Sequence, residues 1–330
     1  MRVIRCERDA SAALDGAVFA IGNFDGIHRG HRALIGRAND LARAKGAPLG
    51  VLTFEPHPRS VLGANTEPFR LTSFRGKVRE IGALGADVLV ALRFNMELAR
   101  VSAENFLRDI VVGRLRASHL VVGYDFVFGH KRSGNAALLR QLAATVGFGL
   151  TVVDPVGNGG EVFASGRVRA ALRDGDVLLA ARVLGRRWEI EGRVRAGERR
   201  GRALGFPTIN LDLADYVRPR LGIYAARVAL TDDAEPPWRD AVTYIGSRPT
   251  FDDENVVPET HILDFDGDLY ARRVRVALID FIRADHRFEN VAALREQMES
   301  DRAVARRILA NPPTLQPEAA HPPARRGART

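Results

Sequence analysis

The chain is 330 residues long, 46% apolar and 27% charged, the balance of a soluble globular protein with room for two domains. No run approaches the ~18–20 uninterrupted apolar residues that a membrane helix needs, and a single cysteine, Cys6, excludes an internal disulfide and a thiolate metal centre. The net charge of +9 admits a nucleic-acid partner, but lysine occurs only at 45, 77 and 131 and the arginines are spread along the chain beside abundant alanine, so compositional drift explains the charge at least as well; a small anionic substrate also favours a basic cleft, and charge alone does not decide between nucleotide and polynucleotide.

The opening segment, MRVIRCERDASAALDG, scatters its charges and has no apolar stretch of the kind a secretory signal uses, so the expected address is cytoplasmic. From residue 17 to about 155, short apolar runs alternate with helical patterns: AVFAIG, HRALIGRANDLARAKG, PLGVLTF, ADVLVALRF, SHLVVGYDF and LTVVDP. The runs lack in–out alternation, which suits strands covered on both faces, and helices near 31–45, 74–84, 102–112 and 135–146 supply the covers. This pattern predicts a doubly wound, Rossmann-like α/β domain. VRAALRDGDVLLAARVL, at 168–184, reads as a helical coda to it, with Val168, Leu172, Leu179 and Val183 near helical spacing. Beyond Gly185 the texture is β-rich, in WEIEGRVRAG, GIYAARVAL, DAVTYIG, ETHILDF and RRVRVALIDFI. A last helix is predicted over about 290–309 behind Asn290 as N-cap, which gives a β-barrel capped by one helix. The expected division is 1–184, 185–310 and a disordered Pro/Arg-rich tail, 311–330.

The first strand of the α/β domain runs directly into Gly22-Asn23-Phe24-Asp25-Gly26-Ile27-His28-Arg29-Gly30-His31, after which a helix starts. Free N–H groups at a helix start attract an anion, and the glycines let the backbone approach it. The string is neither GxGxxG nor the P-loop, so neither a dinucleotide cofactor nor P-loop ATPase chemistry is indicated. His28 and His31, three apart at the helix start, project to one side and are suited to donate to phosphoryl oxygens as charge builds on them. In the β-rich half, Gly201-Arg202-Ala203-Leu204-Gly205-Phe206-Pro207-Thr208-Ile209-Asn210 is a glycine-bounded loop followed by a hydroxyl and an amide on one strand face. Such oxygen ligands suit Mg²⁺, although Thr208 and Asn210 taken alone are also ordinary turn chemistry.

HxGH behind a glycine-rich strand exit resembles the nucleotidyltransferase superfamily, and GNFDGIHRGH in particular resembles the prokaryotic FAD synthetase branch. The resemblance continues in Phe54-Glu55-Pro56-His57-Pro58 and Gly123-Tyr124-Asp125-Phe126-Val127-Phe128-Gly129, which match that family's flavin-side and nucleotide-side loops. It implies His28 and His31 as catalytic donors, Gly22, Asn23, Phe24, Asp25 and Gly30 on the nucleotide, and Phe54, Pro58, Asp125 and Phe126 on the flavin. Phe163-Ala164-Ser165-Gly166-Arg167-Val168-Arg169 departs from the family's serine-rich turn. Ser165 and Arg169 remain for the ATP phosphates, while Ala164 and Gly166 replace hydroxyl residues, for which glycine N–H groups compensate in part.

The 201–210 string resembles the riboflavin kinase signature, with Ile209 where alanine is common. Gly222-Ile223-Tyr224, Ile245-Gly246-Ser247-Arg248-Pro249-Thr250-Phe251, Glu259-Thr260-His261 and Asp268-Leu269-Tyr270 follow in that family's order. The match implies Glu259 as the base toward the terminal hydroxyl of riboflavin, Gly201, Gly205 and Pro207 on the nucleotide, and Thr208 and Asn210 on Mg²⁺. Arg283, in Ile282-Arg283-Ala284-Asp285-His286-Arg287-Phe288, is assigned to phosphate or flavin in a closing loop where a longer acid is usual at 285. Ala271 stands where glycine often follows Asp-Leu-Tyr, a change that costs little at negative φ.

The two motif sets together imply a bifunctional enzyme of small-molecule substrates. It converts riboflavin and ATP to FMN and ADP, then FMN and ATP to FAD and pyrophosphate, both with Mg²⁺, without nucleic-acid or membrane partners. The alternatives are a chain that keeps only the kinase because Ala164 and Gly166 weaken the first site, and a flavin- or RNA-binding regulator suggested by the arginine excess.

Overall fold

The computed structural model describes residues 1–5, 14–63, 67–158, 160–195, 205–231, 237–250 and 253–315; Cys6, Gly201 and most of the 311–330 segment lie outside the described residues. The described residues of Met1–Thr66 and Phe74–Ala164 form one compact unit, and those of Glu67–Ser73 and Ser165–Pro317 form a second.

The first unit is built on β1 (Arg2–Ile4), β2 (Val18–Ile21), β3 (Leu49–Glu55), β4 (Val88–Arg93), β5 (His119–Gly123) and β6 (Gly149–Val153), all parallel in the order β1-β4-β3-β2-β5-β6. The near-continuous apolar runs are explained by burial on both faces. Phe19, Ile21, Leu52, Val90, Leu120 and Val122 turn one way, toward Phe106, Leu107, Ile110 and Leu142. Val18, Ala20, Val51, Leu89 and Val121 turn the other way, toward Leu34, Ile35, Ala38 and Ile81. Helices α1 (Arg29–Lys45), α2 (Pro58–Leu62), α3 (Phe74–Ala83), α4 (Met96–Ala99), α5 (Ala103–Asn105) and α6 (Ala136–Val146) connect the strands, and a small hairpin, β7 (Gly157–Asn158) with β8 (Glu161–Val162), follows.

The α-helix expected near 102–112 is instead α5 running into a π-helical stretch, Phe106–Arg114. Its buried residues, Phe106, Leu107, Ile110 and Val111, and the buried Leu115 at its C-cap recur every four or five positions, and Leu115 N donates to Ile110 O at 2.9 Å, so the wider turn keeps them on one face.

In the second unit the single coda expected at 168–184 is two helices, α7 (Ser165–Asp174) and α8 (Val177–Leu184). Gly175 breaks them at φ +83°, and Asp176 caps α8 by accepting from Leu179 N at 2.8 Å. Strands β9 (Glu189–Arg193), β10 (Ile209–Asn210), β11 (Gly222–Leu230), β12 (Arg239–Thr250), β13 (Asp253–Ile262) and β14 (Arg273–Ala284) are antiparallel in the order β10-β13-β12-β11-β14-β9. Arg195 N donates to Asn210 O at 2.9 Å and joins the two ends, which closes the barrel.

The C-terminal helix, Val291–Ala310, is capped by the Asn290 side chain and lays Ala305 and Leu309 on Ala225, Ala277 and Ile279. The 67–73 strap lies on this unit. Trp188 Nε1 donates to Leu71 O at 2.9 Å, and the buried Tyr216 hydroxyl accepts from Ser73 N and Glu191 N at 3.2 and 3.3 Å. Ala271 has φ +60°, so the mild case expected at negative φ does not apply and the residue carries left-handed strain. No helix among the described residues is long and apolar enough to cross a membrane.

Candidate active sites

In the first unit the strand order reverses between β2 and β5, and the open end of a parallel sheet at that switch point is where a ligand finds a crevice. The Gly22–His31 turn leaves β2 there, the Gly123–Gly129 loop leaves β5, and Phe54–Pro58 ends β3. The turn is strained: Phe24 and Ile27 both sit at φ +47°, which a β-branched residue rarely adopts. Both are fully buried, and that burial over-determines the conformation. At Gly30 a β-carbon would lie 3.1 Å from the His28 ring and 3.2 Å from Phe163 O, so a larger residue would displace the imidazole.

His28 is the N-cap of α1 rather than its first residue, and its Nδ1 accepts from His31 N at 3.4 Å. A neutral imidazole that accepts at Nδ1 carries its proton on Nε2 and can donate from there. The His28 and His31 rings stack at 3.7 Å, and Phe24 meets His31 edge-on at 5.2 Å. Burial, then the neighbouring charges of His28 and Lys77, hold His31 well below the ordinary imidazole pKa, so its ring is neutral. Its Nδ1 is buried and has no hydrogen-bond partner among the described residues. His31 therefore presents a neutral ring, stacked on His28, at the positive end of a helix 17 residues long.

Asp25 is buried and Asn23 exposed. The Asn23 carbonyl accepts from Lys77 Nζ at 2.9 Å and from Thr53 Oγ1 at 3.1 Å. Neither Lys77 nor Thr53 was found by motif. The available signal was a lysine in an arginine-rich chain, four positions before Ile81 on the buried face of a helix.

Phe54 and Phe126 belong to one aromatic row. Phe54 lies 6.1 Å from Phe106, Phe106 lies 6.0 Å from Phe128, and Phe126 stacks on Phe128 at 5.3 Å. Pro58 is the first residue of α2, and Asp125 is exposed. Gly129, at φ +72°, has no room for a β-carbon, which would meet Ala103 N at 2.6 Å. Ser165 and Arg169 open α7 in the second unit, where Arg169 Nε donates to Phe69 O at 2.7 Å. Ala164 and Gly166 are both exposed.

In the barrel, Pro207, Thr208 and Asn210 line a cavity of about 360 Å³ together with Asp266, Asp268 and Tyr270. A hydroxyl, an amide and two carboxylates around one cavity form a hard oxygen set that fits Mg²⁺. Gly205, at φ +87°, turns the chain into this loop, and His261 Nδ1 lies 2.9 Å from Pro207 O, which ties the loop to β13.

Register sets Asn210 opposite Glu259 and Glu259 opposite Tyr244, and residues directly opposite share a face. The Tyr244 hydroxyl donates to Asp285 Oδ2 at 2.8 Å. Burial, then the hydrogen bond and charge of Asp285, then the charge of Glu259, push its phenol well above the ordinary value. Arg283, whose charge acts in the opposite sense on Tyr244, is anchored by its neighbours: Nε and one terminal nitrogen donate to the two oxygens of buried Asp301 at 2.8 and 2.7 Å, and the other lies against Ala284 O and His286 Nδ1. Asp301, eighteen residues away on the C-terminal helix, left no sequence signal.

Comparison with known proteins matches residues 10–167 to the family model for FAD synthetase and residues 184–309 to that for riboflavin kinase. The chain is 38% identical over 310 residues to a bifunctional riboflavin kinase/FMN adenylyltransferase of Escherichia coli (strain K12), covering 94% of this chain and 98% of that protein. A protein of the same name from Bacillus subtilis (strain 168) is 35% identical, with 89% and 93% covered. A solved structure, named as a macrolide-efflux protein from Streptococcus pneumoniae, is 30% identical and superposes with a TM-score of 0.80, covering 92% of this chain and 98% of that one.

Proposed function

The chain belongs to the family of bifunctional riboflavin kinases/FMN adenylyltransferases, and on that premise we propose that each reaction has its own set of residues: one in 1–184, the other in 185–310. The barrel phosphorylates riboflavin with ATP to give FMN; the α/β domain adenylylates FMN to give FAD and pyrophosphate. Both run as cytoplasmic reactions of small molecules.

In the kinase reaction the terminal hydroxyl of riboflavin attacks the γ-phosphorus of ATP, whose bond to the bridging oxygen of the β-phosphate breaks as ADP leaves. Glu259 accepts the hydroxyl proton, while Gly201, Gly205 and Pro207 border the nucleotide. Thr208 and Asn210 would hold Mg²⁺, whose contribution when bound is to neutralise charge on the phosphates. The register that sets Asn210 opposite Glu259 carries this assignment, because it brings a metal ligand and a base onto one face.

In adenylyl transfer a phosphate oxygen of FMN attacks the α-phosphorus of ATP and pyrophosphate leaves. His28 and His31 donate to oxygens on which charge grows, at the start of α1, and Gly22, Asn23, Phe24, Asp25 and Gly30 shape the turn around the nucleotide. The aromatic row from Phe54 to Phe126, together with Pro58 and Asp125, takes the flavin. Ser165 and Arg169 serve the ATP phosphates.

Purified protein given FMN, ATP and Mg²⁺ is expected to release FAD and pyrophosphate, and given riboflavin to make FMN. Riboflavin turnover without FAD would reduce the assignment to the kinase alone.

A further inference from the structure

Lys77 has a role that no motif assigns. Its side chain is 1% exposed, and an ammonium group taken out of water is costly unless several oxygens surround it. Three do: Nζ lies 2.9 Å from Asn23 O, 3.4 Å from Thr53 Oγ1 and 3.7 Å from Glu55 Oε2. Thr53 in turn donates to the same Asn23 carbonyl at 3.1 Å, which closes a triangle.

The three oxygens come from two places. Asn23 belongs to the turn that carries His28, five residues on; Thr53 and Glu55 flank Phe54 at the end of β3. One cation therefore ties the loop of the catalytic imidazoles to the strand end of the flavin wall. The residue type supports this reading. In a chain whose cations are overwhelmingly arginine, this position has a lysine, whose compact three-donor head converges on clustered oxygens where a planar guanidinium would not.

We infer that Lys77 is a positioning residue of adenylyl transfer, which clamps the Gly22–His28 turn to the end of β3 and so sets the two substrates in register for attack. The inference rests on the adenylyltransferase reading given above. A clamp of this kind acts through alignment, so its loss should appear in kcat more than in KM.

The test uses the full-length protein, with FAD formation and riboflavin phosphorylation measured on the same preparation. Lys77→Met is expected to lower kcat for FAD formation by about a hundredfold, to leave KM for FMN and ATP within about threefold, and to leave riboflavin phosphorylation within about twofold, since the kinase residues are elsewhere. Thr53→Val keeps the charge and the volume but removes one of the two donors to Asn23 O, and should lower kcat by about tenfold. The inference is overturned if Lys77→Met forms FAD within twofold of wild type, if the loss falls on KM, or if Lys77→Met loses both activities while Thr53→Val changes neither. A wild-type protein that makes no FAD overturns the parent reading and the clamp together, whereas a wild type that makes FAD beside an unimpaired Lys77→Met overturns the clamp alone.

Discussion

The turn after β2 and the strand edge at β10 hold their polar groups in opposite ways. In the turn, Phe24, Gly26 and Ile27 all take positive φ, two of them fully buried apolar side chains, and the histidines are aimed by a backbone that the core forces into place. At β10 nothing comparable is needed, because antiparallel register alone sets Asn210, Glu259 and Tyr244 on one face. A site aimed by packing is sensitive to buried neighbours carrying no chemistry; one aimed by register is sensitive mainly to its own side chains.

That contrast is most severely tested at His28. His28→Ala removes both a donor to the reacting phosphate and the cap of α1, so FAD formation is expected to fall by about 10²–10³-fold, with riboflavin phosphorylation unchanged in the same assay. A matching loss of kinase activity would break the separation of the two sites.

The next effect lies on the kinase side, at its buried ion pair. Asp301→Ala leaves Arg283 without its bidentate partner and should cost ~2–3 kcal/mol in urea unfolding, less than a fully buried pair because solvent still reaches the guanidinium. A cost below ~0.5 kcal/mol would show that the pair behaves as an exposed surface bridge.

A smaller effect concerns proton linkage at His31. Its folded-state pKa is depressed, so the unfolded chain binds the proton first and stability is lost as the pH falls below about 6.5 toward the lower folded value. Urea midpoints between about pH 7.5 and 5 should fall for wild type more steeply than for His31→Asn, which has no such proton to take up; equal slopes would contradict the neutral buried ring. The smallest effect is at Ala271. Ala271→Gly should relieve the left-handed strain and stabilise the barrel by ~0.5–1 kcal/mol, read as a raised urea midpoint.

Much of this was legible in the sequence. β2 to β5 announce themselves because strands buried on both faces need unbroken apolar runs, and the barrel strands follow their turn residues. β1, three residues long at the sheet edge, is too short to carry a period. The break between α7 and α8 was written in Gly175-Asp176, but apolar spacing runs on through it. The π-helical stretch was hidden because a four-to-five-residue recurrence looks like an ordinary helix over so few turns. At the sites, motifs located the histidines, Glu259 and the Thr208–Asn210 pair. They could not reveal Lys77, since a lysine in a helix reads as solvent-facing, nor the Arg283–Asp301 pair, since a contact across eighteen residues has no local pattern.

The central claim is that one chain houses two chemically independent sites, and Glu259→Gln tests it most directly. This variant keeps the shape of the barrel face but has no base, so it is expected to lose FMN formation by about 10²–10⁴-fold while converting supplied FMN and ATP to FAD at the wild-type rate. Loss of both reactions, or of neither, would contradict it.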